Sequence, residues 1–398
     1  MIKKICCVLF GMSQFVHANS IENILELVKQ NNFTLKAKQQ EVDTSKIGIQ
    51  LANTWQNPIV GFGVSDINLD HPNKRDIEAM QTQFVTYSQT IPTNGKLDLK
   101  SKIKNNDTNI KELEYKEFQQ KLQSQALLYA YSLHFENQNL KIINKYLKNL
   151  EDQKELMNLL YENGKLNQSK LVSIDIKQYK QKLLKQKILY NISKFKTSLV
   201  NLTYTNIDTV EISNKQINDT IDTDFVLENH PLVAIEKEKI AQQKQQIELE
   251  KRKKISDVKL TLGYYQRENY DDYLSFNVAI PLSIQGIENL KIQKSTIEKA
   301  TKEQRLRALQ QQIKTTIDDI KQKVFLSKQN FEMIENKMIP LNETLEQSHK
   351  IHLSTNTMQS IKIYESTNGK YELMLLANEQ KMNYFTALAQ IYYFKGKL

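Results

Sequence analysis

Residues 89–97 read QTIPTNGKL, and residues 279–290 read AIPLSIQGIENL. Each stretch follows an alternation of apolar and polar residues, which is typical of a β-strand, and each precedes a long run with helical spacing. Proline has no N–H and ends a strand's hydrogen-bonding ladder, while glycine lets the backbone turn. The chain is therefore predicted to pass twice from a strand into a long helix, with junctions at Pro92, Gly95, Pro281 and Gly286.

The order of elements around these junctions occurs twice, offset by about 190–200 residues. The segment NNFTLKAKQQ (31–40) resembles ENHPLVAIEK (228–237), and each opens a polar helix. The first predicted repeat, 19–203, holds a helix, strands near 58–68 and 80–91, a long helix at 93–162 and a helix at 168–203. The second, 231–398, holds a helix, strands near 256–267 and 272–281, a long helix at 284–353 and a helix at 359–396. A polar connector, 204–230, is predicted to form an equatorial belt between them. So long a period indicates duplication of a whole unit.

The long helices carry apolar residues at alternating spacings of four and three. In the first, ten of the twelve such positions from Leu122 to Tyr161 are apolar, the exceptions being Glu136 and Lys154. In the second, the same spacing runs from Ile313 to Leu345. This is coiled-coil spacing, so the helices are predicted to pack on each other or on neighbouring subunits. Pro340 interrupts the second run and predicts a kink there.

The four predicted strands alternate as the strands of a transmembrane barrel do. Leu260, Leu262 and Tyr264 share one face, and Thr261 and Gly263 share the other. Runs of ~9–11 residues cross a bilayer when tilted. The alternative is two soluble hairpins packed on helices.

Four strands cannot close a barrel, and lipid does not tolerate open sheet edges, so several chains must contribute. Three chains would supply twelve strands. The predicted fold class is mostly α with a small β part: a long α-helical coiled-coil barrel plus a transmembrane β-barrel formed by a trimer, with four strands per chain and an internal structural repeat.

The net charge does not point to nucleic acid. It is +10, or +8 without Lys3 and Lys4, and the basic residues are interspersed with acidic ones along the helices. That pattern is typical of solvated helix surfaces. KRKK at 251–254 is the only dense basic cluster, so no nucleic-acid partner is predicted.

The first residues resemble a secretory signal. Two lysines precede the apolar run Ile5–Phe10, and Val16-His17-Ala18 fits cleavage after Ala18. The alternative is a buried N-terminal helix. Both cysteines lie in this segment, so the mature chain is predicted to have no disulfide and no thiolate site. No later run approaches the ~20 apolar residues of a membrane-spanning helix, so an exported chain is predicted to be periplasmic, secreted, or in an outer membrane as strands.

These features together resemble the TolC-like outer-membrane efflux family over essentially the whole mature chain. The resemblance rests on the duplication and on the order of short motifs. The motifs are Gln89-Thr90-Ile91-Pro92 with Gly95-Lys96, Ile280-Pro281 with Gly286, Tyr161-Glu162-Asn163-Gly164 before Leu171, and Ile339-Pro340-Leu341. The resemblance implies a homotrimer in the cell outer membrane of a Gram-negative bacterium, in contact with outer-membrane lipid. Its barrel would continue into a periplasmic helical tunnel, and its partners would be a periplasmic adaptor protein and an inner-membrane transporter.

The resemblance also suggests where partners would bind. Adaptor docking is expected at the two helix ends, at Asn163, Gly164, Lys165, Leu166, Ser354, Thr355 and Asn356. The tyrosine and glycine expected at the second end fall on Ile351 and Ser354, and the acidic positions of the closed aperture fall on Ser360 and Ile363. Ser360 and Glu365, the nearest acid, are therefore the candidate aperture residues, and an acidic gate is not predicted.

Catalytic patterns are absent from the sequence. It contains no Gly-rich phosphate loop, no HExxH and no nucleophile elbow, so neither an enzyme nor a cofactor is predicted. Glu346, His349 and His352 share a helical face and form a weak metal candidate, against the alternative of a solvated surface. The predicted function is a passive trans-periplasmic efflux conduit for small molecules or metal ions. The alternatives are the outer-membrane component of type I protein secretion and a soluble periplasmic coiled-coil scaffold or adaptor.

Overall fold

The computed structural model describes residues 19–212, 219–351 and 358–396. The predicted signal segment with Ala18 lies outside these residues. The helices are α1 (Ile21–Asn31), α2 (Phe33–Ala52), α3 (Lys96–Glu162), α4 (Gln168–Thr203), α5 (Thr223–Asn229), α6 (Pro231–Arg252), α7 (Ile287–Met333), α8 (Ile339–Ile351) and α9 (Met358–Lys395). The strands are β1 (Asn19–Ser20), β2 (Ile59–Ser65), β3 (Thr82–Ile91), β4 (Val210–Glu211), β5 (Val258–Gln266) and β6 (Tyr273–Ala279). The mostly helical fold with a small β part is confirmed.

The chain divides into two compact units. One comprises the described residues within 1–35, 118–226 and 314–398, and the other comprises residues 36–117 and 227–313. Helices α2, α3, α5 and α7 contribute residues to both units. Within 19–212, 219–351 and 358–396, no helix is long and apolar enough to cross a membrane.

The first of these two units, which we call the helical unit, is built around α3. Its predicted seam is largely buried, at Leu122, Ala126, Leu133, Ile143, Leu150 and Met157. Helix α4 contacts α3 through the rings of Phe195 and Tyr129, and α9 contacts it through the rings of Phe385 and Tyr131. Tyr146 of α3 donates a hydrogen bond to Glu372 of α9. The 4-3 spacing thus produces the coiled-coil packing that the sequence predicts for this part of the chain.

The predicted long helix at 284–353 is not one uniform α-helix, which corrects the prediction. It starts at Ile287 and contains a π-helical turn, Ile334–Met338, between α7 and α8. Pro340 has no N–H for the Asn336 carbonyl, and its ring would clash with that carbonyl in a regular α-helix. The π turn accommodates this, with the Ile339 N–H bonded to the Ile334 carbonyl five residues back.

The π turn also ends the buried seam. Ile317, Ile320, Val324 and Ile334 are buried, but Met338 and Leu341, the next two seam positions, are 38% and 69% exposed. A π turn inserts one residue, which rotates the following side chains by about 100° around the helix. The apolar residues of α8 therefore leave the core of the chain.

The connector is rich in polar residues, yet its apolar residues pack into the core. Its apolar residues Ile207, Val210, Ile221 and Val226 are buried. Strand β4 pairs in parallel with β1, with Asn19 opposite Val210. Asp219 accepts hydrogen bonds from Lys328 of α7 (2.8 Å) and from Tyr384 of α9 (3.2 Å).

The second unit contains an antiparallel sheet in the order β2-β3-β5-β6. The strands are shorter than predicted. The central pair, β3 with β5, joins residues 167–183 positions apart in the chain, from Gln83 opposite Gln266 to Ile91 opposite Val258. Alternation and register then place the side chains on two faces. The apolar face carries Val60, Phe62, Val64, Val85, Tyr87, Leu260, Leu262, Tyr264, Leu274, Phe276 and Val278. The polar face carries mainly glycine and hydroxyl residues, among them Gly61, Gly63, Thr86, Ser88, Thr261, Gly263 and Ser275.

Candidate functional site

The two strand-to-helix junctions share one backbone geometry. Pro92 follows the last residue of β3, and Pro281 lies two residues after the end of β6. Gly95 (φ 64°) and Gly286 (φ 70°) each directly precede a long helix. Each glycine carbonyl accepts a helical N–H at 3.3 Å, from Leu99 and Leu290 respectively. Both glycines are therefore helix N-caps in the left-handed region, where a side chain is disfavoured.

The connection between α6 and β5, residues 252–257, binds both junctions. Asp257 accepts hydrogen bonds from the Thr93 backbone N–H (3.0 Å) and from the Lys96 ammonium (2.7 Å). The Lys96 side chain is almost fully buried, so Asp257 neutralises a cation that water does not reach. Ser256 donates a hydrogen bond to the Pro281 carbonyl of the second junction. This connection thus fixes where both strands end.

Both units carry apolar surfaces that the chain itself does not cover. On the apolar face of the sheet, Phe62 is 84% exposed and Leu274 79%. Strands β2 and β6 are the sheet edges, and each has one side without a strand partner in the described residues. On α4 an exposed seam follows spacings of four, three, four and seven, and we call it the α4 seam: Val172, Ile176, Tyr179, Leu183 and Tyr190.

Solved structures share this arrangement over nearly the whole chain. The Campylobacter jejuni CmeC outer membrane channel matches with a TM-score of 0.76 and 12% identity, covering 94% of this chain and 85% of that chain. The open-state MtrE outer membrane channel of Neisseria gonorrhoeae gives 0.75 and 10%, covering 95% and 89%. CusC, studied for transmembrane channel formation, gives 0.74 and 11%, covering 96% and 92%. This chain has the fold of these outer-membrane channels. No protein-family model and no curated protein matches the sequence.

In this channel fold, the first predicted docking segment is the turn between α3 and α4. Gly164 has φ 69°, its N–H donates to the Tyr161 carbonyl (2.9 Å), and the Lys165 N–H donates to the Leu160 carbonyl (2.8 Å). These bonds satisfy the last carbonyls of α3. The Asn163 side chain donates to the Leu159 carbonyl (2.6 Å), and Leu166 is buried. The outer surface of this turn is formed by Asn163, Gly164 and Lys165, which are exposed.

The second predicted segment of the channel fold is described only in part. Ser354, Thr355 and Asn356 lie outside the described residues, as does His352. Ser360 is half-buried and Glu365 exposed, both near the start of α9. Glu346 forms an ion pair with Lys350 (2.5 Å). Within 19–212, 219–351 and 358–396, no cluster of three His, Cys, Asp or Glu residues is placed to hold a metal ion.

Three features of the structure were not predicted from the sequence. They are the anchor at Asp257, the β3–β5 pairing and the exposed α4 seam. The seam had a visible signal, because Val172, Ile176, Tyr179 and Leu183 follow 4-3-4 spacing. Asp257 had none, because its partners Thr93 and Lys96 lie more than 160 residues away in the chain.

Proposed function

We propose that this chain is the subunit of a trimeric outer-membrane channel that acts as a passive trans-periplasmic conduit in a tripartite efflux system. The observation that carries the proposal is the sheet, with one exposed apolar face, one polar face and two open edges. An apolar face in contact with lipid and a polar face towards water is the arrangement of a transmembrane barrel. Lipid does not tolerate open edges, so β2 of one copy would pair with β6 of the next.

The helical unit supports the same assembly independently. The α4 seam and the apolar residues of α8, Leu341 and Leu345, are exposed on one chain. Coiled-coil seams on two different helices are complementary surfaces for a head-to-tail ring of copies. We propose that α4 of one copy packs on α8 of its neighbour.

The proposed location is the outer membrane, with the helical unit in the periplasm. The proposed partners are a periplasmic adaptor protein, which would bind the turn at Asn163, Gly164 and Lys165, and an inner-membrane transporter. Ser360 and Glu365 are the proposed aperture residues. These assignments follow from the likeness in fold to outer-membrane channels, together with the exposure of the α3–α4 turn.

Membrane fractionation and measurement of the oligomeric mass test the proposal. The full chain is expected in the outer-membrane fraction as a trimer. Leu183→Glu places a charge in the α4 seam and is expected to abolish the trimer while leaving the helical content of the chain intact. Ser173→Glu is the matched control. It adds the same charge at an exposed position that lies about 100° around α4 from Val172 of the seam. A soluble, monomeric periplasmic pool of the wild-type chain would contradict the channel and favour a scaffold protein.

A further inference from the structure

One row of aromatic rings crosses the polar face of the sheet. Gly63, Phe84, Tyr265 and Tyr273 lie directly opposite one another on β2, β3, β5 and β6. The rings of Phe84 and Tyr265 have centroids 5.5 Å apart, and those of Tyr265 and Tyr273 are parallel and 4.9 Å apart. We call Phe84, Tyr265 and Tyr273 the aromatic row.

The surroundings of the aromatic row are small. A Cβ at Gly63 would lie 2.8 Å from the Phe84 ring, and a Cβ at Gly263 would lie 2.5 Å from the Tyr265 ring. The two rings thus lie over glycines. Thr86, Thr261 and Ser275 are their neighbours on the same face. The immediate neighbours of the row are therefore small side chains.

Contact with lipid does not account for these rings. Aromatic residues that face lipid would lie on the apolar face, which has its own set in Phe62, Tyr87 and Phe276. The aromatic row is on the opposite face, which lines the channel lumen if the proposed trimer is correct. A contiguous aromatic patch directed at water is unusual unless it binds something.

The row offers ring edges. The parallel rings of Tyr265 and Tyr273 cover each other's inner faces, and side chains on a strand stand roughly perpendicular to the sheet and lean along the strand. Each ring therefore directs one edge away from the sheet, while the hydroxyl end of Tyr265 lies over Gly263. Ring edges carry partial positive charge and attract the face of another aromatic ring. The Arg267 guanidinium, 5.3 Å from the Tyr273 ring centroid, adds positive charge at this end of the row.

We propose that the aromatic row is a binding site for planar aromatic solutes on the lumen side of the channel. The inference rests on the proposed trimer for its position in the lumen, where three rings from each of three chains would surround the passing solute. The row then favours aromatic cargo over saturated cargo of the same size and charge.

Binding of 2-naphthoate to the full-length protein in lipid nanodiscs tests the proposal. Saturation-transfer NMR would give Kd for 2-naphthoate and for its saturated counterpart, decahydro-2-naphthoate, with empty nanodiscs as the blank. The triple variant F84L/Y265L/Y273L is expected to bind 2-naphthoate about tenfold more weakly than wild type, because edge-to-face contacts are lost. The matched control F62L/Y87L/F276L removes three rings from the apolar face of the same sheet and is expected to leave Kd unchanged.

Two further variants separate binding from folding. If the triple variant does not assemble, Tyr273→Leu alone, on the edge strand, replaces it. This single variant is expected to raise Kd severalfold. Tyr265→Phe keeps the ring and is expected to retain wild-type Kd. Equal binding of the aromatic and saturated probes, or an unchanged Kd in both the triple variant and Tyr273→Leu, would overturn the proposal. These outcomes leave the proposed channel intact, because trimer formation and membrane location are measured separately.

Discussion

Gly95 and Gly286 have the same backbone conformation but different surroundings. Adding a side chain at each position therefore separates the cost of backbone strain from the cost of a steric clash. Both lie at positive φ before a long helix. A Cβ at Gly95 would lie 2.6 Å from Nη1 of Arg252, whereas nothing lies within 4 Å of a Cβ at Gly286. The Arg252 guanidinium also donates a hydrogen bond to the Asn94 carbonyl (3.1 Å). A methyl group at position 95 would displace it.

We therefore expect Gly95→Ala to destabilise the chain more than Gly286→Ala. Each substitution costs roughly 1–2 kcal/mol from the left-handed backbone. Gly95→Ala adds about 1 kcal/mol from the lost hydrogen bond. Thermal unfolding followed by circular dichroism measures both. Equal shifts in the unfolding midpoint would contradict the role of Arg252 at this junction.

Glu136 is a polar exception within the buried seam of α3. It is 4% exposed and accepts hydrogen bonds from Asn191 of α4 (2.6 Å) and from Asn139 (3.3 Å). A polar group at a seam position holds two helices in one register, because any other register leaves it without a partner. Glu136 and Asn191 therefore set the alignment of α3 with α4.

Replacing only one member of this pair is expected to be worse than replacing both. Glu136→Leu leaves the Asn191 amide without its acceptor, at a cost of about 1–3 kcal/mol. Adding Asn191→Leu is expected to recover most of that loss, since two apolar groups then pack in the seam. Unfolding midpoints of the two single variants and the double variant test this. A double variant no more stable than Glu136→Leu would argue against the pairing.

At the scale of elements, a charged cluster around Asp219 ties the connector to α7 and α9. The hydrogen bond from Lys328 is the main cause that holds the pKa of Asp219 below its usual range, although partial burial opposes it. Burial and the nearby Asp219 carboxylate raise the pKa of Tyr384 to about 12, so this hydroxyl stays a donor at neutral pH. Both partners thus favour the charged form of Asp219.

This cluster predicts a loss of stability in acid. The folded pKa of Asp219 is lower than the unfolded value of about 3.9. The stabilisation that the charged carboxylate gives to the folded chain is therefore complete above the unfolded pKa. It disappears as the pH falls through the folded pKa. Asp219→Asn is expected to lower the unfolding midpoint at pH 6 by the equivalent of about 0.2–1 kcal/mol, since the pair is partly exposed. The difference from wild type should shrink as the pH falls below the unfolded value and vanish once the pH is below the folded pKa.

Asp319→Asn removes an exposed ion pair with Lys323 on the same helix and serves as the charge-matched control. Asp219→Asn and wild type should be compared with it under the same buffer conditions. A wild-type advantage over Asp219→Asn that persists unchanged into strong acid would contradict the cluster's role.

At the scale of the whole molecule, the two faces of the sheet give opposite expectations for one substitution. Phe276 and Ser275 are neighbours on β6 but lie on opposite faces. In the proposed barrel, Phe276→Arg places a charge in lipid, which costs roughly 2–4 kcal/mol near the bilayer midplane. Ser275→Arg places the same charge in the water-filled lumen. We expect Phe276→Arg to reduce recovery in the outer-membrane fraction strongly and Ser275→Arg to have little effect. Similar recovery of both variants would argue against lipid contact at the apolar face.

Some of the molecule was accessible from the sequence because the signals are local. Ile91-Pro92 and Gly95 indicated a junction because the proline ring and the conformational freedom of glycine affect the backbone only within a few residues. The 4-3 spacing from Leu122 to Met157 indicated buried packing for the same reason. The internal repeat and the trimer stay predictions, since one chain does not test them. The metal candidate also stays a prediction, because His352 lies outside the described residues; Glu346 forms an ion pair with Lys350.

The amino-acid sequence by itself determined which segments are mainly helical, which four segments form the strands of the sheet, where proline and glycine mark the two junctions, and which side of each of these strands is apolar. These properties depend on backbone sterics and on periods of two and 3.6 residues. Only the tertiary structure decided that β3 pairs with β5, that Asp257 anchors Lys96, and that Leu341 leaves the core after the π turn. It also decided that Phe84, Tyr265 and Tyr273 form one row. Those outcomes depend on register and on contacts between residues far apart in the chain, which no local pattern specifies.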